Sequence, residues 1–82
     1  MAVVTLRYWA AAKDAAGVAE QTVTADTLAA ALATARGNGR LSSVISRSSF
    51  LIDGMPVGTR APEAVVLSDA AVIEVLPPFA GG

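Results

Sequence analysis

The sequence predicts an α+β domain in which a mixed β-sheet packs on one main helix, followed by a protruding C-terminal tail that ends in two glycines. Alternating apolar residues near both ends of the 82-residue chain indicate two half-buried strands. One apolar stripe at helical spacing lies between them. A double proline then separates the last strand from the diglycine ending. We therefore assign residues 1–76 to the domain and residues 77–82 to a flexible tail.

The composition narrows the chemistry that this chain can perform. It has no cysteine and no histidine, which excludes a disulfide, a thiolate metal site, a cysteine nucleophile and a histidine general base. The net charge is −1 and the six basic residues are scattered, which argues against nucleic acid or an acidic membrane as a partner. The sequence shows neither the charged start of a signal peptide nor an apolar run of membrane-spanning length. We expect a soluble, cytoplasmic domain with no bound metal or cofactor.

The first third of the chain predicts a strand, a helical turn and a returning strand. Apolar residues alternate over residues 2–8, as in a half-buried strand. The alanine-rich segment 9–16 closes at Gly17, which suits a helix C-cap. Residues 18–24 carry β-favouring side chains and are expected to return beside the first strand. The apolar face of the first strand consists of Val4, Leu6 and Tyr8.

The middle of the chain contains the predicted main helix. Asp26 or Thr27 can cap its N-terminus. Apolar residues then follow at i, i+3, i+4 and i+7, a stripe that must cover a sheet. These positions are Leu28, Ala31, Leu32 and Ala35. Residues 37–39, Gly-Asn-Gly, end this helix, and residues 40–47 have the apolar spacing of a second, short helix.

The last third predicts a hairpin, a loop and a final strand. Asp53-Gly54 suits a tight type I′ turn, so residues 50–57 are expected to form a hairpin around it. Residues 60–67 have the composition of a loop. Residues 71–76 alternate, with Ile73 and Val75 on one face. Because the first and last strands are the most apolar, we expect them to be neighbours at the centre of the sheet.

The ending has an unusual combination of stiff and permissive residues. Pro77 and Pro78 cannot continue a central strand, so the chain is expected to leave the body of the domain there. Phe79 is a candidate aromatic anchor for a pocket on a partner. Gly81 and Gly82 lack a Cβ atom and can enter a channel too narrow for other residues. We expect a thin tip that ends in a carboxylate.

Several segments together carry a resemblance that covers the whole chain. They are Leu6-Arg7-Tyr8-Trp9-Ala10, Asp53-Gly54, Leu67-Ser68-Asp69 and Pro77-Pro78-Phe79-Ala80-Gly81-Gly82. The chain resembles the ubiquitin-like MoaD/ThiS sulfur carriers, and most closely the MoaD type, the small subunits of molybdopterin synthase. The resemblance implies a β-grasp fold. Many relatives have a glycine where this chain has Asp69-Ala70-Ala71, and alanine disfavours positive φ values, so the turn type stays open at this point.

The resemblance also implies a chemistry. In such carriers a ubiquitin-activating-type adenylyltransferase uses ATP to attach AMP to the terminal carboxylate, and a sulfur donor then leaves a thiocarboxylate on the last glycine, here Gly82. The tail enters the active site of the synthase large subunit, within a heterotetramer. Sulfur passes there to cyclic pyranopterin monophosphate in molybdenum cofactor biosynthesis. The inserted tail would comprise Pro77, Pro78, Phe79, Ala80 and Gly81 in addition to Gly82. The chain is then no enzyme on its own but the sulfur-donating subunit of a sulfurtransferase.

Three residues are candidates for the surface that a partner contacts. The alternation places Leu51 and Leu76 on the sheet face opposite the helix, and Trp9 lies just beyond the first strand. An apolar patch on that face would indicate a docking surface, although Trp9 could equally fill the core.

The activated carboxylate would serve more than one function, because the attacking group decides the product. Alternatives are a sulfur carrier for thiamine or cysteine synthesis, a protein modifier joined through Gly82 to a lysine, and a structural subunit with an accidental tail. The double proline favours the molybdopterin pathway over the thiamine pathway, by resemblance.

Overall fold

A computed structural model describes residues 2–78, and within them a five-stranded mixed sheet packs against three helices. The strands are β1 (Val3–Tyr8), β2 (Glu20–Thr24), β3 (Ser49–Ile52), β4 (Met55–Pro56) and β5 (Val72–Leu76). The helices are α1 (Ala10–Ala16), α2 (Leu28–Ala35) and α3 (Gly39–Ile45). The sheet order is β2-β1-β5-β3-β4, and β1 runs parallel to β5 while the other pairs are antiparallel. The predicted fold class is confirmed.

The two central strands bury the faces that the alternation predicted. The core-facing side chains of β1 and β5 are each 0–1% exposed, because the helices cover this face of the sheet. They are Val4, Leu6, Tyr8, Ile73 and Val75. The opposite faces of the same strands are half-buried or exposed. This alternation orients every residue of β5, including the one that precedes the double proline.

The helices begin and end near the residues that the sequence indicated. Gly17 adopts the left-handed conformation at the end of α1, with φ 78°, and its N–H donates to the carbonyl of Lys13. Thr27 caps α2, since its side chain accepts a hydrogen bond from the Ala30 amide. Asn38 caps α3 in the same way, accepting from the amides of Arg40 and Leu41. The predicted α2 stripe is fully buried: Leu28, Ala31, Leu32 and Ala35.

The hairpin forms around the predicted dipeptide. Ile52 pairs with Met55, and Asp53 and Gly54 have φ values of 50° and 83°. Two consecutive positive φ values are what a type I′ turn requires. The Asp53 carboxylate also accepts a hydrogen bond from the Val72 amide at 3.0 Å, which ties the turn to β5.

The turn before β5, whose type the sequence left open, contains an alanine with positive φ. Ala70 has φ 69° and therefore adopts the left-handed conformation that alanine disfavours. Its amide donates to the Val3 carbonyl at 2.8 Å, and the Asp69 carboxylate accepts from the Val3 amide at the same distance. These contacts with the start of β1 hold the turn in this conformation.

The predicted loop at residues 60–67 contains a short 3₁₀ helix at Pro62–Ala64. Beyond it, Val65 and Leu67 are buried whereas Val66 is 79% exposed and forms an isolated bridge with Thr27. No helix among residues 2–78 is long and apolar enough to cross a membrane.

Candidate functional site

The parallel pairing of β1 and β5 brings two distant segments to one edge of the sheet. Tyr8 is opposite Val75 in the register, so Trp9, which follows β1, lies beside the end of β5. A notch of about 250 Å³ lies at this edge. It is lined by Trp9, Ala10, Leu76 and Pro77. We call it the strand-end notch. Its lining places two of the three predicted interface residues, Trp9 and Leu76, against the first tail residue.

Trp9 is a surface residue whose ring is held in place. It lies in extended conformation just before α1 and is 45% exposed, so it does not fill the core. Its indole Nε1–H donates to the Glu74 Oε1 at 3.2 Å. Because this bond spans 65 positions in sequence, it fixes the ring against the end of β5 rather than against its own helix.

Leu51, the third predicted interface residue, lies on the same face of the sheet but outside the strand-end notch. It is half-buried and pairs with Glu74, which makes it a diagonal neighbour of Leu76. It lines a separate open groove of about 410 Å³ on the β3–β4 side. Arg60 also lines this groove, and its guanidinium donates to the carbonyls of Val57 and Pro56.

Charged side chains cross the outer face of the sheet beside the notch. Glu20, Arg7 and Glu74 are successive neighbours on β2, β1 and β5. The Arg7 Nε lies 2.9 Å from the Glu20 Oε2, and both side chains are exposed. This polar row borders the notch on the outer face of the sheet.

The inner face of the sheet carries one side chain with a shifted pKa among the described residues, the buried Tyr8. The Tyr8 hydroxyl donates to the Gln21 Oε1 at 2.9 Å, and burial raises the pKa of Tyr8 above its usual value. The phenol therefore stays neutral near pH 7. Among residues 2–78 no cluster of acidic side chains could hold a metal ion.

Sequence reasoning did not assign to the site one of the four residues that line the notch, Ala10, nor Glu74, which contacts the tryptophan from outside the lining. Ala10 lies in the notch with φ 48°, and Glu74 orients the tryptophan from β5. The alternation did place Glu74 on the outer face, but no local pattern pairs it with Trp9. The contact follows only from the parallel register of the central strands.

Solved structures similar to this chain were found, whereas no protein-family model and no curated protein sequence matches it. Small archaeal modifier protein 1 from Methanosarcina acetivorans has a TM-score of 0.83 at 24% identity, over 100% of this chain and 98% of that chain. The same-named protein from Haloferax volcanii has a TM-score of 0.81 at 20% identity, over 98% and 99%. A chain of the complex of subunits 1 and 2 of molybdopterin-converting factor from Helicobacter pylori has a TM-score of 0.76 at 20% identity, also over 98% and 99%.

The chain has their ubiquitin-like β-grasp fold. The predicted β-grasp fold is thereby confirmed, over nearly the full length of each matched chain.

In this β-grasp domain the tail begins at the strand-end notch. Pro77 is half-buried and lines the notch, whereas Pro78 is exposed. Phe79, Ala80, Gly81 and Gly82 lie outside the described residues. Their roles as anchor, inserted tail and sulfur-bearing terminus therefore stay predictions, as does the boundary between a domain at 1–76 and a tail at 77–82.

Proposed function

We propose that this protein is a sulfur carrier of the MoaD type, in which the α-carboxylate of Gly82 is the chemically active group. The observation that carries the proposal is the position of the strand-end notch. An apolar, preformed recess includes Pro77, the first residue of the segment that ends in the diglycine, so a partner that binds the notch would also receive the tail. The β-grasp fold shared with subunit 1 of molybdopterin-converting factor supports the same function.

The proposed chemistry needs only an unhindered carboxylate on this chain. An activating enzyme transfers AMP from ATP to the Gly82 carboxylate and releases pyrophosphate. A donor that delivers sulfide-level sulfur (HS⁻) then attacks the carbonyl, a C–S bond replaces the C–O bond to phosphate, and AMP leaves, which gives a thiocarboxylate. No cysteine in the chain competes for the activated carbonyl. The protein acts as the sulfur-donating subunit, and the large subunit supplies the catalytic groups.

The large subunit of molybdopterin synthase is the proposed sulfur-accepting partner. A matched structure is a complex of subunits 1 and 2 of molybdopterin-converting factor, which supports a two-subunit arrangement. We place the contact at Trp9 and Leu76, with Leu51 at its margin and Phe79 as an anchor in the tail. In this arrangement Gly81 and Gly82 reach the bound cyclic pyranopterin monophosphate, and two such pairs form a heterotetramer.

Protein modification is the second candidate function. Two small archaeal modifier proteins match with TM-scores of 0.83 and 0.81, compared with 0.76 for the chain from the converting-factor complex. The activated Gly82 carbonyl would then be attacked by the ε-amine of a lysine on a target protein, with AMP as the leaving group. Both functions share activation and differ only in the nucleophile.

Intact mass spectrometry of the protein isolated from its native host separates the two candidates. Sulfur carriage predicts a species heavier by the exchange of one oxygen for sulfur, which is lost on mild hydrolysis. Modification predicts adducts heavier by a whole protein and joined at Gly82. An unmodified mass alone, in cells that are making molybdopterin, would contradict the sulfur carrier.

Variants of the terminus test the role of Gly82 directly. Deleting Gly82, or adding an alanine after it, should abolish adenylation while leaving the melting temperature of the β-grasp domain unchanged. Gly81→Ala is the matched control, because a methyl group narrows the fit without removing the reactive carboxylate, so its activity should fall less. Molybdopterin formation by the Gly82 deletion with its large subunit would rule out the proposed mechanism.

A further inference from the structure

The two edges of the sheet differ in how open they are to another strand. At one edge β4 has only two residues, and one of them is Pro56, which has no N–H to donate. At the other edge β2 has five residues whose register with β1 is unbroken from Glu20 to Thr24. Proline and short length are devices that protect an edge from pairing. Only the β4 edge has them.

The backbone of β2 presents hydrogen-bonding groups away from the sheet. The Tyr8 amide donates to the Ala19 carbonyl, and the Ala25 amide donates to the Ala2 carbonyl. In an antiparallel pair the backbone groups of alternate residues point to the partner strand. The backbone groups of the odd-numbered residues 19–25 therefore point to β1, and those of the even-numbered residues between them point away from it. Glu20, Thr22 and Thr24 thus direct their N–H and C=O groups away from β1, and no strand of the described chain lies beyond them.

The side chains of β2 do not block this edge either. The strand contains no proline and no lysine, and its sequence is Glu-Gln-Thr-Val-Thr. Its one charge, on Glu20, is held by Arg7 on the neighbouring strand at 2.9 Å. Inward-pointing or unpaired charges, the other common protection of an edge, are therefore absent from residues 20–24.

We propose that β2 pairs with β2 of a second copy of this chain, antiparallel about a two-fold axis at Thr22. In this register Thr22 of one chain lies opposite Thr22 of the second copy, and Glu20 lies opposite Thr24 of the second copy. No like charges are opposed, and threonine pairs across antiparallel strands are favourable. The outward groups of three residues on each strand exchange backbone hydrogen bonds. This self-complementary pattern is the reason for choosing a second copy over a different partner.

The resulting contact is small and leaves the strand-end notch open. Pairing of two five-residue strands buries far less surface area than the roughly 1,200–2,000 Å² of a stable protein interface. The dimer is therefore weak, and its fraction rises with protein concentration. β1 lies between β2 and β5, so Leu76 stays uncovered. The inference does not rest on the proposed function, and deletion of Gly82 should leave the dimer intact.

Disulfide trapping tests the register, because the natural chain has no cysteine. In a hydrogen-bonded antiparallel pair the Cα atoms are about 5.5 Å apart, within the roughly 4.4–6.8 Å range of disulfides. Thr22→Cys should therefore oxidise to a covalent dimer at least ten times faster than the matched control, Thr59→Cys, which is exposed beyond the β4 edge. Equal rates for the two variants would overturn the proposal.

Charge variants at the two-fold axis provide a second test without cross-linking. Thr22→Lys and Thr22→Glu each place like charges opposite one another, so each should stay monomeric in sedimentation equilibrium where the parent dimerises. An equimolar mixture of the two should dimerise again. A parent protein that is monomeric up to millimolar concentration would overturn the proposal. So would a monomer whose β2 amide resonances shift only when an extended peptide is added.

Discussion

At the scale of single residues, the conformation of Ala70 shows tertiary contacts overriding a local preference. Among residues 2–78 the non-glycine residues with positive φ are Ala10, Asp53 and Ala70. Aspartate tolerates this region, whereas alanine pays about 1–2 kcal/mol for it. The Ala70 turn persists because its amide and the neighbouring Asp69 carboxylate both bond to Val3.

Replacement of Ala70 by glycine should therefore stabilise the protein. The variant removes the strain of φ 69° but gains freedom in the unfolded chain, so the net gain in unfolding free energy is expected to be up to about 1 kcal/mol. Ala11→Gly, at an exposed position inside α1, is the control and should lose about 1 kcal/mol. Chemical denaturation measures both, and a loss of stability in Ala70→Gly would contradict the argument.

At the scale of elements, α2 is the main contributor among the helices to the layer that covers the sheet. Its four apolar stripe residues are buried, and it is anchored at its start by the Thr27 cap and by a hydrogen bond from the Leu28 amide to the Val65 carbonyl. The helix is only eight residues long, so its own propensity cannot hold it in isolation. Its stability comes from burying this stripe in the hydrophobic core.

Leu32→Ala should consequently destabilise the domain by roughly 2–5 kcal/mol, because it leaves a cavity under α2. Leu32 is 1% exposed, so little relaxation is available to refill that space. Phe79→Ala should change stability very little if the tail contributes nothing to the core. Thermal unfolding of the two variants measures this difference. Equal shifts in melting temperature would show that the tail packs against its own domain.

At the scale of the whole molecule, the parallel pairing of the central strands sets the position of the proposed partner contact. It places the end of β1 beside the end of β5, so that Trp9 and Leu76 form one recess. A recess with an aromatic and an aliphatic wall has the character of a hot spot in a protein interface. The polar row of Glu20, Arg7 and Glu74 borders it on the sheet.

Leu76→Glu should weaken binding to the purified large subunit of molybdopterin synthase by well over tenfold. The variant removes an apolar wall of the notch and would bury an unpaired charge in the interface. Folding should be affected little, because Leu76 points away from the core. Glu63→Ala, an exposed position in the 3₁₀ helix, is the control and should bind like the parent. Calorimetric titration decides it: parent-like affinity for Leu76→Glu would move the docking surface elsewhere.

Periodicity in the sequence was sufficient to predict the main helix and the first and last strands, the face that each of them buries, and the fold class. The spacing of Leu28 and Leu32 and the alternation through Ile73 and Val75 are local properties, since each depends only on residues within two turns or one strand. The Asp53-Gly54 turn is equally local, because two neighbouring residues determine its type. The same patterns made β1 and β5 the central strands, and with the diglycine ending they carried the resemblance to the sulfur carriers.

Only the tertiary structure decided how distant residues meet. It joined Trp9 to Glu74 and left Leu51 outside the notch, because the register between strands is a long-range property that no local spacing contains. It also imposed a positive φ on Ala70, since hydrogen bonds to Val3 outweigh the preference of an isolated alanine. The sequence by itself thus determined which faces of the main helix and of the first and last strands are buried, through local periodicity. The fold decided which exposed residues lie together, through contacts between segments that are far apart in the chain.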